Sequence, residues 1–118
     1  TALACLGEGI PAFHYMVAVA GGAEIPCADY ATFGSAELSD NVLRVLHGEF
    51  KACLMANHGQ VAIGKTLADA YALAQEVENL ARQYMLARSL GPTRNLPAEE
   101  MARVVEKFRS YGQQRSDD

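Results

Sequence analysis

Apolar residues recur every three or four positions along residues 67–90. This spacing places them on one side of an α-helix, because a helix turns about once every 3.6 residues. Thr66 and Asp69 have the spacing of a helix N-cap and its partner, and Gly91-Pro92 ends the pattern. We therefore predict one long helix over residues 67–90. Its buried stripe is predicted to contain Leu67, Ala70, Tyr71, Ala74, Val77, Leu80, Ala81, Tyr84 and Met85.

Four shorter segments also have helical character. Residues 1–6 resemble the last turns of a helix, residues 12–20 are mostly apolar and compatible with a helix, and residues 35–47 carry one apolar face. The last helix is predicted to begin near Pro97, with two glutamates in its first turn, where the helix dipole favours acidic side chains. Its apolar stripe is predicted to contain Met101, Val104, Val105 and Phe108.

Short apolar segments suited to strands lie between these helices. Residues 51–56 and 60–64 flank the tripeptide Asn-His-Gly at 57–59, which is typical of a turn, and Gly59 permits a left-handed backbone there. Residues 24–28 suit a short extended piece, whose proline keeps it at a sheet edge. Helices and short strands alternate, which predicts one layered α/β domain with the hairpin-like pair near its centre.

Composition narrows the classes of function. The chain has 118 residues, enough for one domain with a modest core, and half of them are hydrophobic. Its net charge of −4 provides no basic surface for a phosphate backbone, which argues against nucleic-acid binding. The apolar runs are short and interrupted, so no membrane partner is expected.

The cysteines indicate a reducing compartment. Cys5, Cys27 and Cys53 are an odd number, contain no CxxC pair and have apolar neighbours. This pattern is typical of reduced, buried cysteines. It favours a cytoplasmic protein, because disulfides are rare there.

His58 is the candidate metal ligand. A turn at the end of a buried strand can direct an imidazole into a cleft, and neutral imidazole is a common zinc ligand. The alternative is a hydrogen-bonded structural histidine, because a catalytic zinc needs about three protein ligands. His14 and His47 lie in predicted helices and are expected at boundary or surface positions, so they supply no second ligand at a suitable spacing.

Several aromatic residues allow a structural or a functional interpretation. Tyr15 could be a core residue with its hydroxyl at the rim, or a proton donor to a developing alkoxide. Tyr111 and Phe108 could belong to the core or to the lid of a site. Phe33 lies in a predicted loop, where functional residues are common. Residue chemistry alone leaves these alternatives open.

Four segments, taken in order, resemble the class II aldolase/adducin family. They are IPAFHYM at 10–16, GGAEIPCADYATFG at 21–34, ANHG at 56–59 and EVENLA at 76–81. The run EKFRSYG at 106–112 is similar to the C-terminus of the ketose 1-phosphate aldolases of that family. The resemblance covers almost the whole chain.

The resemblance implies a fold and an activity. The fold would be a three-layer α/β/α domain, of which residues 1–118 form the C-terminal half. The activity would be reversible cleavage of a ketose 1-phosphate, a small sugar phosphate, into dihydroxyacetone phosphate and an aldehyde. The implied cofactor is Zn²⁺, and the implied assembly is a homotetramer with active sites between subunits.

The resemblance also implies roles for individual residues. His58 matches the last of three zinc-binding histidines. Tyr15 matches a tyrosine that reaches into a neighbouring subunit and handles the proton on the aldehyde oxygen, and Tyr111 matches a C-terminal tyrosine of the site. Phe33 and Phe108 match its apolar wall. The family's His-x-His pair, acid/base glutamate and phosphate-binding residues lie upstream of the matched segment, so this chain is expected to carry only part of the active site.

Two other functions within the same fold remain open. One is a sugar-phosphate 4-epimerase or dehydratase, against which the segment 108–111 favours an aldolase. The other is a non-catalytic, adducin-like oligomerisation module. The presence of His58, Tyr15 and Tyr111 argues against that module, because a purely structural descendant would be free to lose them.

Overall fold

The computed structural model describes residues 1–114, and side chains are described for residues 1–110. Two short 3-10 helices, Ala2–Leu6 and Tyr15–Ala20, come first. The other elements are β1 (Cys27–Ala28), α1 (Ala36–Val45), β2 (Ala52–Met55), β3 (Gly59–Ala62), α2 (Leu67–Leu90) and α3 (Ala98–Gln114). None of the helices within residues 1–114 is both long and apolar enough to cross a bilayer.

The three strands form one small sheet in the order β1-β2-β3. Strand β1 runs parallel to β2, with Cys27 opposite Leu54. Strands β2 and β3 are antiparallel, with Cys53 opposite Val61. The predicted hairpin is therefore confirmed, but only its β2 strand is central because β3 lies at one edge; β1 lies at the other edge, as the proline in residues 24–28 indicated.

Helices α1 and α2 pack on opposite faces of this sheet. Ala52 and Leu54 of β2 belong to the core cluster that also contains Leu73, Val77 and Leu80 of α2. Cys53 is also buried but points to the other face, because successive strand residues alternate. That face is next to α1, whose buried Asn41 donates a hydrogen bond from Nδ2 to the Asp29 carbonyl at 3.1 Å. The result is three layers, as expected for the predicted α/β/α fold.

The bounds of α2 agree with the prediction, but its buried face does not. The Thr66 hydroxyl accepts a hydrogen bond from the Asp69 N–H at 3.1 Å and so caps the first turn, as its spacing indicated. Leu67, Tyr71 and Met85 belong to the predicted stripe but are 86%, 65% and 37% exposed. Leu73 was not predicted and is buried. Apolar residues occupy several sides of α2, so the face that becomes buried depends on where the sheet packs.

The apolar segment 12–20 is helical over only part of its length. His14 is extended, with φ −148° and ψ 142°, and a 3-10 helix runs from Tyr15 to Ala20. The N–H of Phe13 bonds to the Pro11 carbonyl at 2.8 Å, so a turn occupies the predicted first turn of helix. His14 therefore lies at the N-cap of this helix rather than within it.

The cysteines differ in exposure. Cys53 is buried and Cys27 is partly buried, but Cys5 is exposed, which corrects the prediction that all three are buried. Leu3 and Ala4 supply the buried side of the first 3-10 helix, so Cys5 faces away from the core. All three are free thiols.

Candidate active site

The turn between β2 and β3 is held firmly by backbone hydrogen bonds. The His58 N–H donates to the Met55 carbonyl at 3.0 Å, and the Asn57 N–H donates to the carbonyl of Ala4 at 2.9 Å. The left-handed residue is Asn57, at φ 57°, and not Gly59, which already belongs to β3. Asparagine tolerates this conformation better than most side chains do. The turn thus presents His58 from a backbone that two hydrogen bonds hold.

The His58 side chain is exposed and lies in a pocket of about 300 Å³. Phe33 lines the same pocket and is 80% exposed. Two residues predicted from the sequence are therefore brought together. The remaining lining residues are Tyr30, Ala31 and Asn57.

Sequence reasoning assigned no role to Tyr30, which is also exposed in this pocket. The position of Tyr30 in the chain, just after β1, could have indicated that it lines the pocket. Strands β1 and β2 are parallel, so their carboxyl ends meet at one edge of the sheet. The loop with Tyr30 and Phe33 follows β1, and the His58 turn follows β2. In α/β sheets, ligands bind at this end of the strands.

Tyr15 lies in a second pocket, of about 620 Å³. It is 51% exposed, and Phe108 of α3 lines the same pocket, so these two predicted residues are also neighbours. The charged residues of this pocket are Arg103 and Lys107, one helical turn apart, and Glu100, which pairs with Arg103 at 2.8 Å. Sequence reasoning missed these charges, although their spacing on α3 put them on the same face as the phenylalanine.

Within one copy of the chain, the predicted site residues are divided between two pockets. His58 and Phe33 line one, whereas Tyr15 and Phe108 line the other. The side chain of Tyr111 lies outside the described residues. In one copy of the described residues, His58 and Tyr15 therefore do not line a common pocket.

His58 fits a zinc site as one ligand of several. Imidazole nitrogen is a usual zinc donor, and the exposed ring leaves room for a metal. Among residues 1–114, no three His, Cys, Asp or Glu side chains come together as a metal cluster. Further ligands would have to come from residues outside this part of the chain.

The two more buried thiols are poor alternatives as ligands or nucleophiles. Burial, with a smaller effect from Cys27, raises the pKa of Cys53 to about 11. Burial and then the charge of Asp29 also raise the pKa of Cys27. Both groups stay protonated near neutral pH, and it is the thiolate that binds metals or attacks. His58 therefore remains the candidate ligand.

This chain matches a known protein family over most of its length. The model of the class II aldolase and adducin N-terminal domain matches residues 1–85. The chain belongs to the class II aldolase and adducin family. This confirms the resemblance inferred from the sequence motifs.

Relatives within the family are aldolases. A 5-methylthioribulose-1-phosphate/5-deoxyribulose-1-phosphate aldolase of Rhodospirillum rubrum is 56% identical over 95% of this chain and 50% of its own length. An L-fuculose phosphate aldolase of Escherichia coli is 48% identical over 95% of this chain and 52% of its own length. The chain thus spans about half the length of the curated relatives it matches.

A solved structure confirms the fold. An L-fuculose 1-phosphate aldolase matches 92% of this chain with a TM-score of 0.86 and 44% identity, and the match covers 50% of that structure. The predicted three-layer class II aldolase fold, present here in part, is therefore correct.

Proposed function

We propose that this chain is the C-terminal half of one class II aldolase domain, and that the complete protein reversibly cleaves a ketose 1-phosphate. The products would be dihydroxyacetone phosphate and an aldehyde. The observation that carries the proposal is the position of His58 and Phe33 at the carboxyl ends of parallel strands, in a chain whose relatives are named aldolases.

His58 would be the ligand that this chain contributes to a bound Zn²⁺. The ion would supply Lewis acidity that polarises the ketone of the substrate. Its other ligands would come from the part of the domain that the relatives have and this chain does not span. The hydrogen-bonded turn at 57–59 supports this role, because these bonds hold the backbone of the ligand in place before the metal binds.

Tyr15 would handle the proton on the aldehyde oxygen. In the condensation direction its O–H donates a proton to that oxygen as the new carbon–carbon bond forms. In cleavage it takes the same proton back. Its half-exposed side chain is consistent with contact to a substrate in a neighbouring subunit.

The assembly that unites the two pockets would be a homotetramer. Tyr15 of one subunit would then approach His58 of the next, which explains why one copy separates them. Tyr111 would join this site from the C-terminal end of α3.

The substrate would carry an apolar group at the end distant from the phosphate. The relatives are named for L-fuculose phosphate, 5-deoxyribulose 1-phosphate and 5-methylthioribulose 1-phosphate, which all end in a methyl or methylthio group. Phe33, beside His58, and Phe108, beside Tyr15, would form the wall that contacts this group.

The test is product analysis with the full-length protein. It is incubated with L-fuculose, 5-deoxyribulose, rhamnulose and ribulose 1-phosphates, and dihydroxyacetone phosphate is measured by a coupled NADH assay. We expect product from the first three, whose sugars all end in a methyl group, and loss of product after zinc chelation. Absence of dihydroxyacetone phosphate with all four substrates would contradict the proposal.

A 4-epimerase is the second candidate. A solved Escherichia coli structure described as a putative aldolase/epimerase/decarboxylase matches 88% of this chain with a TM-score of 0.62 and 29% identity. The same incubations separate the two activities, because an epimerase returns a ketose phosphate with inverted carbon 4 and releases no dihydroxyacetone phosphate.

A further inference from the structure

His14 precedes Tyr15 and has no role in the proposed reaction. Its backbone is extended, and the helical conformation begins at the next residue. Its Nδ1 accepts a hydrogen bond from the backbone N–H of Met16 at 3.0 Å. His14 therefore caps the short helix that carries Tyr15, because it satisfies an N–H that the first turn leaves without a helical partner.

The His14 ring also stacks on the ring of Tyr15. Their centroids are 4.8 Å apart, and the planes differ by 28°. On the other side, His14 lies 6.1 Å from the ring of Phe13, which itself lies 5.3 Å from Tyr84 of α2. A series of ring contacts thus connects the framework helix α2 to the phenol of Tyr15.

These contacts matter because Tyr15 is exposed on about half of its surface. A half-exposed side chain has few packing contacts that select one rotamer. The capping hydrogen bond sets the backbone direction at Tyr15, and the stacked ring restricts the angle of the phenol. Serine or asparagine could cap this turn, but an aromatic acceptor is required to do both.

We propose that His14 is a positioning residue for Tyr15. The cap and the stacked ring together hold the phenol in the direction that reaches the aldehyde oxygen. This inference rests on the proposed function, in which Tyr15 handles the proton on that oxygen. In this role His14 would act only through Tyr15.

Three substitutions in the full-length protein separate the two contributions. His14→Asn keeps the cap and removes the stacked ring. His14→Phe keeps a ring and removes the acceptor, and His14→Leu removes both. The matched control is His47→Leu, because His47, which is exposed, also lies beside an aromatic ring, at 6.0 Å from Phe50, and lines neither pocket.

The measurements are kcat and KM on the accepted ketose 1-phosphate, with a melting temperature for each variant. We expect His14→Leu to lower kcat about tenfold or more and to change KM less than about twofold, because a misplaced catalytic group slows chemistry without weakening ground-state binding. His14→Asn and His14→Phe should each recover part of kcat, and His47→Leu should match the wild type.

Two outcomes would overturn the inference. One is a wild-type kcat for His14→Leu in an active enzyme. The other is an equal loss in all three variants together with a common fall in melting temperature, which would show a purely structural role.

An activity-independent measurement separates this inference from the proposed function. ¹⁵N NMR of the imidazoles, with the His14 signal assigned by its absence from His14→Asn, should show the tautomer that carries its proton on Nε2, because Nδ1 accepts from the Met16 N–H. Protonation at Nδ1 would refute the cap even in an active enzyme. An inactive wild type with the Nε2 tautomer would instead refute the proposed function and leave the cap established.

Discussion

The backbone around His58 is hydrogen-bonded, while the residue itself is exposed. Two backbone hydrogen bonds hold the turn, one of them to the first 3-10 helix. The ring shares its pocket with exposed aromatic side chains. An exposed side chain contributes little to the stability of the fold. When its backbone is held by hydrogen bonds, however, it is already positioned to bind a ligand. The same contrast applies to Tyr15, which is half-exposed at the start of a capped helix.

Replacing His58→Ala in the full-length protein should remove bound zinc. Loss of a direct ligand should exceed the about 10–100-fold loss of affinity that follows from removing groups around a metal site. Elemental analysis after gel filtration measures zinc per subunit, and His47→Ala is the matched control. Unchanged zinc in His58→Ala would refute its assignment as a ligand.

Replacing Tyr15→Phe removes one hydroxyl and keeps the ring. We expect kcat to fall by about 10²–10⁴-fold, the usual contribution of a positioned acid or base. The melting temperature should stay unchanged, because this side chain is half-exposed. Tyr71→Phe is the control, since Tyr71 is an exposed tyrosine of α2 outside both pockets. Equal activities in the two variants would exclude a role for the Tyr15 hydroxyl.

Helix α2 shows which structural properties depend only on residues that are close in sequence. Its start depends on a cap at Thr66 and its end on Gly91-Pro92, which are all sequence neighbours of the helix. Its buried residues, in contrast, face strands β2 and β3 and the 3-10 helix Tyr15–Ala20. Gln60 of β3 adds a specific link, because its Nε2 donates to the Ala74 carbonyl at 2.9 Å. Residues close in sequence thus determine where this helix begins and ends, whereas contacts with distant elements determine its orientation.

The cap of α2 gives a stability prediction. Thr66→Ala should lower the free energy of unfolding by about 1 kcal/mol, since an N-cap oxygen typically contributes that amount. Thr66→Ser keeps an oxygen that can accept from the Asp69 N–H and should have nearly the wild-type value. Urea denaturation of the full-length protein followed by circular dichroism compares the variants. Equal midpoints for Thr66→Ala and the wild type would contradict the cap.

For the whole molecule, the separation of Tyr15 from His58 is the main consequence of the fold. The residues line different pockets of one copy. Closed cyclic oligomers place different surfaces of neighbouring subunits in contact, so they can combine two such pockets into one site. An assembly of this kind makes activity depend on pairs of subunits.

Mixed oligomers test this dependence. His58→Ala and Tyr15→Phe proteins are purified separately, dissociated together and reassembled. If each site takes one residue from each of two neighbours, random mixing should produce intact sites at about a quarter of the positions in a closed ring. Activity should therefore rise from near zero to about a quarter of the wild-type value. Reassembly of each variant alone is the control, and no recovery on mixing would place both residues in one subunit's site.

Local rules account for the predictions that were correct. The bounds of α2, the β2–β3 hairpin and the start of α3 after Pro97 depend on periodicity, capping residues and turn residues that are close in sequence. The left-handed backbone that Gly59 permits is adopted instead by Asn57. Both residues tolerate positive φ, so the register of the hairpin determines which of them has a left-handed backbone.

The sequence by itself determined the family, the order of helices and strands, and the identity of the candidate ligand His58. Only the tertiary structure decided that His58 and Phe33 share one pocket while Tyr15 and Phe108 share another. It also decided that Leu73 is buried while Leu67 and Tyr71 are exposed. The physical reason is the range of the interactions. Caps, turns and periodicity act within a few residues, whereas burial and pocket formation depend on which distant surfaces meet.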